Sequence, residues 1–344
     1  MNKRYLLFLT AFLFNISCIL CQKNPDDTIN QTDSLGRKQG YWKKMDKDGS
    51  LKYEGRFIND KPTGTFKYYY PDKNIKALSV FRDSVHLKTT SYHPNGKVLS
   101  EGSYYRTIKD SSWRFYNEYG KIVSEESYIR GAKSGLWKIF YTSNGNVSEE
   151  VTWRNNVKDG PWHEFFEDGS IRLKAVYRNG HIEGLSQYFY TNGKVELSGT
   201  YKLSQKDGIW ISFAENGESN FKEIYKKGNL KRKEIYLKVD GKIKPIEIIT
   251  VAFAYSYEGK IKLVLKDKHI IPVDDDMDRL EFLLGSEKFI RINKSAVVGY
   301  DVIKGVQVQT EKFLKVITSP VAEIELIADE GTSEFLITRY KVIK

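Results

Sequence analysis

From residue 37 to residue 228 apolar and polar positions alternate in short runs, and the alternation restarts about every 24 residues. In Trp137-Lys138-Ile139-Phe140-Tyr141 the side chains at 137, 139 and 141 fall on one face of a strand, because successive side chains point to opposite sides. Such runs open on a Gly-x-aromatic step, as in Gly40-Tyr41-Trp42, Gly64-Thr65-Phe66, Gly135-Leu136-Trp137, Gly160-Pro161-Trp162 and Gly208-Ile209-Trp210. They close on a turn dipeptide: Asp48-Gly49, Asn95-Gly96, Asn144-Gly145, Asp168-Gly169, Asn192-Gly193 and Asn216-Gly217. Eight residues past each of these glycines, and past Gly120, comes another ring: Phe57, Tyr104, Tyr128, Trp153, Tyr177, Tyr201 and Tyr225. Asn-Gly and Asp-Gly predict tight type I′ turns. Asn155-Asn156, Asn179-Gly180 and Lys227-Gly228 mark the corners where the returning strands end. Each repeat predicts one hairpin, and eight follow one another over 37–228.

A fixed period of this length is the mark of a repeat architecture, which serves more often as a binding surface than as a pocket for chemistry. A single hairpin is marginal in water, so equal hairpins must bury their rings against the neighbouring copy. With 23 Tyr, 18 Phe and 6 Trp, rings are expected to do most of that packing. Glycine fits where a side chain would meet the next ring or where φ must be positive. Two copies have lost their ring, at Leu87-Lys88-Thr89 and at Gly184-Leu185-Ser186, yet keep the register. The expected fold class is all-β: tandem hairpins in an elongated, twisted sheet, with a mainly-β domain after them.

These landmarks resemble the MORN repeat family in its bacterial variant, whose motif reads roughly G-x-W-x-x-[FY]-[FY]-x-[ND]-G-[KS]. Some bacterial proteins of this kind are classed as antitoxins. The resemblance implies a single-layer sheet used in protein or lipid-surface contacts, and no reaction.

Lys3-Arg4 followed by the apolar run Tyr5 to Leu20 has the charge and length of a secretory leader over 1–21. The run is short for a membrane span, which needs about 20 apolar residues. Cleavage before Gln22 is the first expectation. Lipidation of Cys18, against which Asn15 stands where a lipobox has Leu, and an uncleaved anchor are the alternatives. Each leaves the mature chain exported, in the periplasm, cell envelope or medium. Residues 22–36 read as a flexible spacer.

Beyond Gly228 the period stops. Residues 226–244 hold eight Lys/Arg against Glu234 and Asp240, so 229–246 read as a basic connector with one strand over 234–239. Over 247–344 the texture becomes aliphatic strands, expected at 248–254, 260–265, 302–308, 313–317, 323–327 and 334–337. One short helix is expected over Met277–Leu284, behind Asp274-Asp275-Asp276, where acidic residues favour a helix start, and before Gly285, which ends it.

Three ordered strings carry a second resemblance: Asp278-Arg279-Leu280-Glu281-Phe282-Leu283-Leu284, then Phe289-Ile290-Arg291-Ile292-Asn293-Lys294-Ser295-Ala296-Val297-Val298, then Val302-Ile303. Phe335-Leu336-Ile337-Thr338-Arg339 stands where a final strand ends in Ser-Arg. Together they resemble the LytTR domain of bacterial response regulators, whose central pattern F-x-R-[IV]-[HN]-[RK]-S-x-[IV]-V-N is met except that Gly299 replaces the last Asn. The resemblance implies a β domain that reads DNA from loops, with Arg291, Asn293, Lys294 and Arg339 at the matching polar positions; plain surface charge is the competing reading. Charge favours the latter. Residues 247–344 hold 14 Lys/Arg and 16 Asp/Glu, a net of −2, so the whole-chain +11 leaves +13 on residues 1–246.

Signals for an enzyme are poor. His86, His93, His163, His181 and His269 have no metal-binding spacing. Arg279 occupies the position where a calcium loop begun at Asp274 needs glycine. No phosphate loop and no cysteine–histidine pairing appear, so no catalytic residue, cofactor or metal is expected. Rings off the packing column, Tyr68, Tyr69, Tyr70 and Phe189, are the candidates for ligand contact. The leading expectation is a non-catalytic, extracytoplasmic binding or scaffold protein that meets a protein, a glycan or an anionic envelope surface. The alternative is a DNA-binding transcriptional regulator, which requires that the leader not be an export signal.

Overall fold

Each repeat folds as the alternation requires, with the two ends of its hairpin closed differently. In the computed structural model, which describes residues 28–310 and 312–343, Phe166 N–H donates to Ser170 O at 2.8 Å and Gly169 N–H to Phe166 O at 3.0 Å. Gly169 takes a positive φ of 87° while Asp168 does not, and the strand register shifts between Glu164 and Phe165. The Asp-Gly loop is thus a three-residue type I turn with a bulge, in place of the expected type I′ turn. The Asp168 carboxylate favours this form by accepting from Ser170 Oγ and Ser170 N–H, which hold its pKa below the usual range. The paired positive φ of a type I′ turn occurs at the opposite corners, at Asn155 (49°) and Asn156 (67°) and at Asn179 (49°) and Gly180 (84°).

The chain divides into two units, residues up to 109 with 118–120, and 110–117 with 121–344. In the first, three hairpins pair antiparallel: Lys38–Met45 with Leu51–Ile58, Lys61–Tyr69 with Ile75–Phe81, and His86–Tyr92 with Val98–Tyr105. The described part of the spacer expected over 22–36, Thr28 to Gly36, is held in place by pairing and hydrogen bonds. Gln31–Thr32 pairs with Gln39 and Lys38, and Asp33 accepts from Leu35 N–H, Arg37 N–H, Arg37 Nε and Gln39 Nε2. The leader expected over 1–21 lies outside the described residues.

In the second unit, five hairpins have their return strands over Ile122–Ile129, Val147–Arg154, Ile171–Arg178, Val195–Lys202 and Ser219–Lys226. The basic connector continues the sheet as one more hairpin, Asn229–Val239 with Lys242–Glu247, in place of the single strand expected at 234–239. Its apolar side explains why. Ile235, Leu237 and Val239 are buried in one core with Val251, Leu263, Leu280 and Leu283, so the hairpin is shared with the C-terminal domain.

That domain pairs five strands in the order Ile270–Val273, Lys260–Leu265, Val251–Tyr257, Ala296–Gly299, Phe289–Asn293, and three more over Ile303–Val308, Leu314–Thr318 and Ile327–Ala328. Helix α1 spans Met277–Leu284 as expected, with Asp276 accepting from Arg279 N–H at 2.7 Å and Gly285 ending it. A second helix, α2, spans Glu330–Arg339 where a strand was expected at 334–337. Asp329 caps it through Thr332 N–H at 3.1 Å, and Ser333 and Leu336, three apart, turn inward. The short apolar run there fits period two in the sequence, whereas its buried positions follow a helical spacing. The strand expected at 323–327 shrinks to Ile327–Ala328, and the one expected at 248–254 begins at Val251 after a 3₁₀ turn.

Candidate binding surfaces

On one face of the second unit two tryptophans lie across from a small residue of a neighbouring strand. Trp210 sits opposite Gly199, and Trp162 opposite Ala175 and Val151. Rings also meet within a repeat, at 5.5 Å between Trp137 and Trp153 and 5.2 Å between Trp162 and Tyr177, and between repeats, at 4.9 Å between Tyr201 and Trp210. Lysines cover the rings from outside. Lys133 Nζ lies 4.5 Å from both Trp137 and Trp153, Lys158 Nζ 4.9 Å from Tyr177, and Lys206 Nζ 4.6 Å from Trp210. In the first unit Lys38 does the same over Trp42 and Phe57. Reading from the sequence missed this device, although its signal is present: a lysine stands four residues before the tryptophan in Lys38-x-x-x-Trp42, Lys133-x-x-x-Trp137, Lys158-x-x-x-Trp162 and Lys206-x-x-x-Trp210.

The opposite face carries cross-strand ion pairs. Arg114 meets Glu125 at 2.8 Å, Lys138 meets Glu150 at 2.9 Å, and His163 lies 3.9 Å from Glu150. His163 thus stands across from Glu150 on this face. Among the described residues no group of three His, Cys, Asp or Glu side chains is placed to hold a metal ion, and no helix is long and apolar enough to cross a membrane.

The four polar residues matched to DNA contact have unequal surroundings. Arg291 is held from every side: its Nε donates to Asn293 O at 2.6 Å, Nη2 to Lys294 O at 2.6 Å, and Nη1 to Met277 O, Asp278 and Glu281 at 3.2, 3.1 and 2.9 Å. Asn293 donates to Ile327 O at 2.6 Å and accepts from Ser295 N–H at 2.6 Å. Both tie the turn after Phe289–Asn293 to the rest of the domain. Lys294, on that same turn, is exposed. Arg339 ends α2, with its guanidinium 5.0 Å from the Tyr300 ring and 5.6 Å from Phe335. It faces a cavity of about 330 Å³ whose walls include Ile248, Lys266, Lys288 and Phe289.

Tyr68, Tyr69 and Tyr70 come together in the first unit, around a hollow of about 460 Å³ that also takes in Lys52, Lys76 and Tyr92. The Tyr69 hydroxyl donates to Glu54 at 2.6 Å; burial and that carboxylate push its pKa up to about 12. The Tyr70 hydroxyl donates to Tyr92 O at 2.8 Å. Tyr68 packs against Tyr53 and Phe66, with centroids 6.0 and 6.4 Å away, so it belongs to the ring column as much as to the hollow. Phe189, in the second unit, is half-buried under Lys174 Nζ at 5.5 Å.

Fold and surfaces define a tandem-hairpin repeat protein that ends in a mixed β domain. Residues 62–83, 85–104 and 182–203 match the family model of the MORN repeat variant, and residues 241–328 match that of the LytTr DNA-binding domain. The chain therefore combines MORN-variant repeats with a C-terminal LytTR-like domain. The repeat matches include both copies that lack a ring, and the LytTr match closes before α2 and so leaves Arg339 outside it.

Among solved structures, the LytTr DNA-binding domain of a Bacillus cereus response regulator is similar at 16% identity and a TM-score of 0.26, over 30% of this chain and 91% of that one. A porin-like protein from Bacteroides uniformis is similar at 7% identity and a TM-score of 0.16, over 60% of this chain and 92% of that one. The S. aureus protein TarM is similar at 13% identity and a TM-score of 0.22, over 28% of this chain and 19% of that one. No curated protein matches the chain.

Proposed function

We propose that this protein is a non-catalytic, extracytoplasmic binding protein whose hairpin array presents a basic, ring-backed surface and whose LytTR-like domain is a second interaction module. The observation that carries the reading is the recurrence of lysine over ring from repeat to repeat. It repeats one chemical pattern along a line instead of gathering unlike groups at a point, which suits an extended partner better than a reacting one. The +11 on residues 22–246, which excludes Lys3 and Arg4 of the leader, supplies long-range attraction for an acidic partner. Export rests on the leader pattern of Lys3-Arg4 and the apolar run after it. Mass spectrometry of the mature N-terminus tests it: a chain starting at Gln22, or acylated at Cys18, agrees with export, and a cytoplasmic chain starting at Met1 removes it. Binding through the array is expected to weaken steeply between low and moderate salt.

The LytTr family match favours a second reading, DNA binding by the C-terminal domain. Lys294 and Arg339 are its available contacts, because the Arg291 guanidinium is already fully engaged within the domain. A gel shift with the full chain decides it. A shift at low salt that Lys294→Ala and Arg339→Ala abolish establishes this reading, and its absence removes it.

A further inference from the structure

One column of the repeat, directly after ring positions such as Trp153, Tyr177, Tyr201 and Tyr225, carries positive charge in seven of the eight copies, the first having Ile58. Arg82, Arg106, Arg130, Arg154 and Arg178, then Lys202 and Lys226, recur at intervals of 24 residues. The next position reads Asp83, Thr107, Gly131, Asn155, Asn179, Leu203 and Lys227. The exchange of Arg for Lys within the column shows that positive charge is kept and side-chain shape is not.

In the second unit Arg154, Arg178, Lys202 and Lys226 each close the return strand of a hairpin, and all four are exposed at the same edge of the sheet. Successive members are two strands apart, so the charges recur about every 10 Å. Lys158 and Lys206, two of the ring-covering lysines, stand two residues beyond the corners Asn155-Asn156 and Leu203-Ser204. The acids beside them are committed locally. Glu183 accepts from Leu203 N–H at 2.8 Å, Asp207 from Lys227 N–H at 3.0 Å, and Asp159 lies 3.4 Å from Arg154. With Lys227, the edge carries seven cations against four carboxylates, of which Asp159 pairs with Arg154 and Glu223 lies 4.0 Å from Lys206.

We propose that this edge binds a linear acidic polysaccharide with a carboxylate on alternate sugars. The inference rests on the reading of the repeats as a binding surface. A β-linked pyranose advances its chain by close to one strand spacing, so alternate acidic sugars place a carboxylate opposite each hairpin. Duplex DNA carries one charge per about 1.7 Å of axis, far denser than a single row at this spacing can neutralise. An anionic bilayer presents a plane, whereas the edge of a twisted sheet presents a curved line.

The test uses the full chain and four probes: hyaluronan, whose uronic acid alternates with a neutral sugar; polygalacturonate, acidic at every sugar; duplex DNA; and phosphatidylglycerol vesicles. Hyaluronan is expected to bind at low salt. Arg154→Gln, Arg178→Gln, Lys202→Gln and Lys226→Gln together are expected to weaken it at least tenfold, while Lys260→Gln with Lys268→Gln in the C-terminal domain leaves it unchanged. An Arg178→Lys, Lys202→Arg exchange, which keeps the charge, is expected to bind as the natural chain does, and this guards against misfolding as the cause of loss. No hyaluronan binding, binding indifferent to the four substitutions, or equal affinity for polygalacturonate overturns the inference. DNA or vesicles held through the same four cations, with hyaluronan ignored, overturns the ligand class and leaves the array a binding surface.

Discussion

Trp210 lies flat against Gly199 of the neighbouring strand, and a β-carbon built on Gly199 would fall 2.1 Å from the nearest carbon of that indole. The indole is fully buried and its Nε1 donates to Thr200 O at 3.1 Å, so it cannot swing aside without losing that bond. Gly199→Ala is therefore expected to destabilise the second unit by about 1–3 kcal/mol, the range for overpacking. Adding Trp210→Leu should recover part of the loss, and a double-mutant cycle in urea measures the coupling. Additive effects would mean that the two residues do not share one space. In the first unit Gly55 stands in the same relation to Phe66, at 2.5 Å, and Gly55→Ala should behave alike.

Arg291 is expected to act on stability before any ligand is considered. Arg291→Ala frees three backbone carbonyls and two carboxylates and should cost about 1–3 kcal/mol. Lys294→Ala, three residues on and exposed, should change the melting temperature little. Equal effects in the two variants would contradict the assignment of Arg291 to the scaffold.

Leu237 belongs by sequence to the connector and by packing to the C-terminal domain. It is fully buried with Leu263, Leu280 and Leu283. Leu237→Ala is expected to cost about 2–5 kcal/mol. The loss should appear together in amides of 229–247 and of α1 when hydrogen exchange is followed, because one core serves both. Loss confined to the hairpin would break that link.

At the start of the first unit, the Arg37 guanidinium and the turn amides hold the Asp33 carboxyl down at about 2. The folded pKa lies below the unfolded one, so the turn's extra stability is complete above the ordinary Asp range near 3.8 and is lost as pH falls toward 2. Exchange of the Leu35 and Arg37 amides should accelerate over that window relative to other hairpin amides. In Asp33→Asn the acceleration should vanish, leaving exchange faster at every pH.

Hairpins were legible because their determinants are local: side-chain alternation, a turn residue with the right φ and a ring at constant offset are all properties of adjacent residues. Turn type was less so, since the choice between a type I′ turn and a type I turn with a bulge at Asp168-Gly169 depends on where Ser170 and the register place the chain. The lysine four residues before Trp42, Trp137, Trp162 and Trp210 is visible in the sequence, but its role is not. Its meaning depends on where Nζ goes, and a lysine in an exposed strand has many places to go.

For this protein the sequence by itself determined a repeat of strands, its length, its turns and the two families it resembles, all of which follow from periodicity and ordered motifs. Only the tertiary structure decided what depends on partners distant along the chain. It turned 334–337 into helix because Ser333 and Leu336 found a core to enter, and it joined the basic connector to the last domain through Ile235, Leu237 and Val239. It also enclosed Arg291 among carbonyls and carboxylates while leaving Lys294 in solvent. Packing selects among side chains that one-dimensional patterns treat as equal, since burial and hydrogen bonding are settled by the neighbours that folding brings.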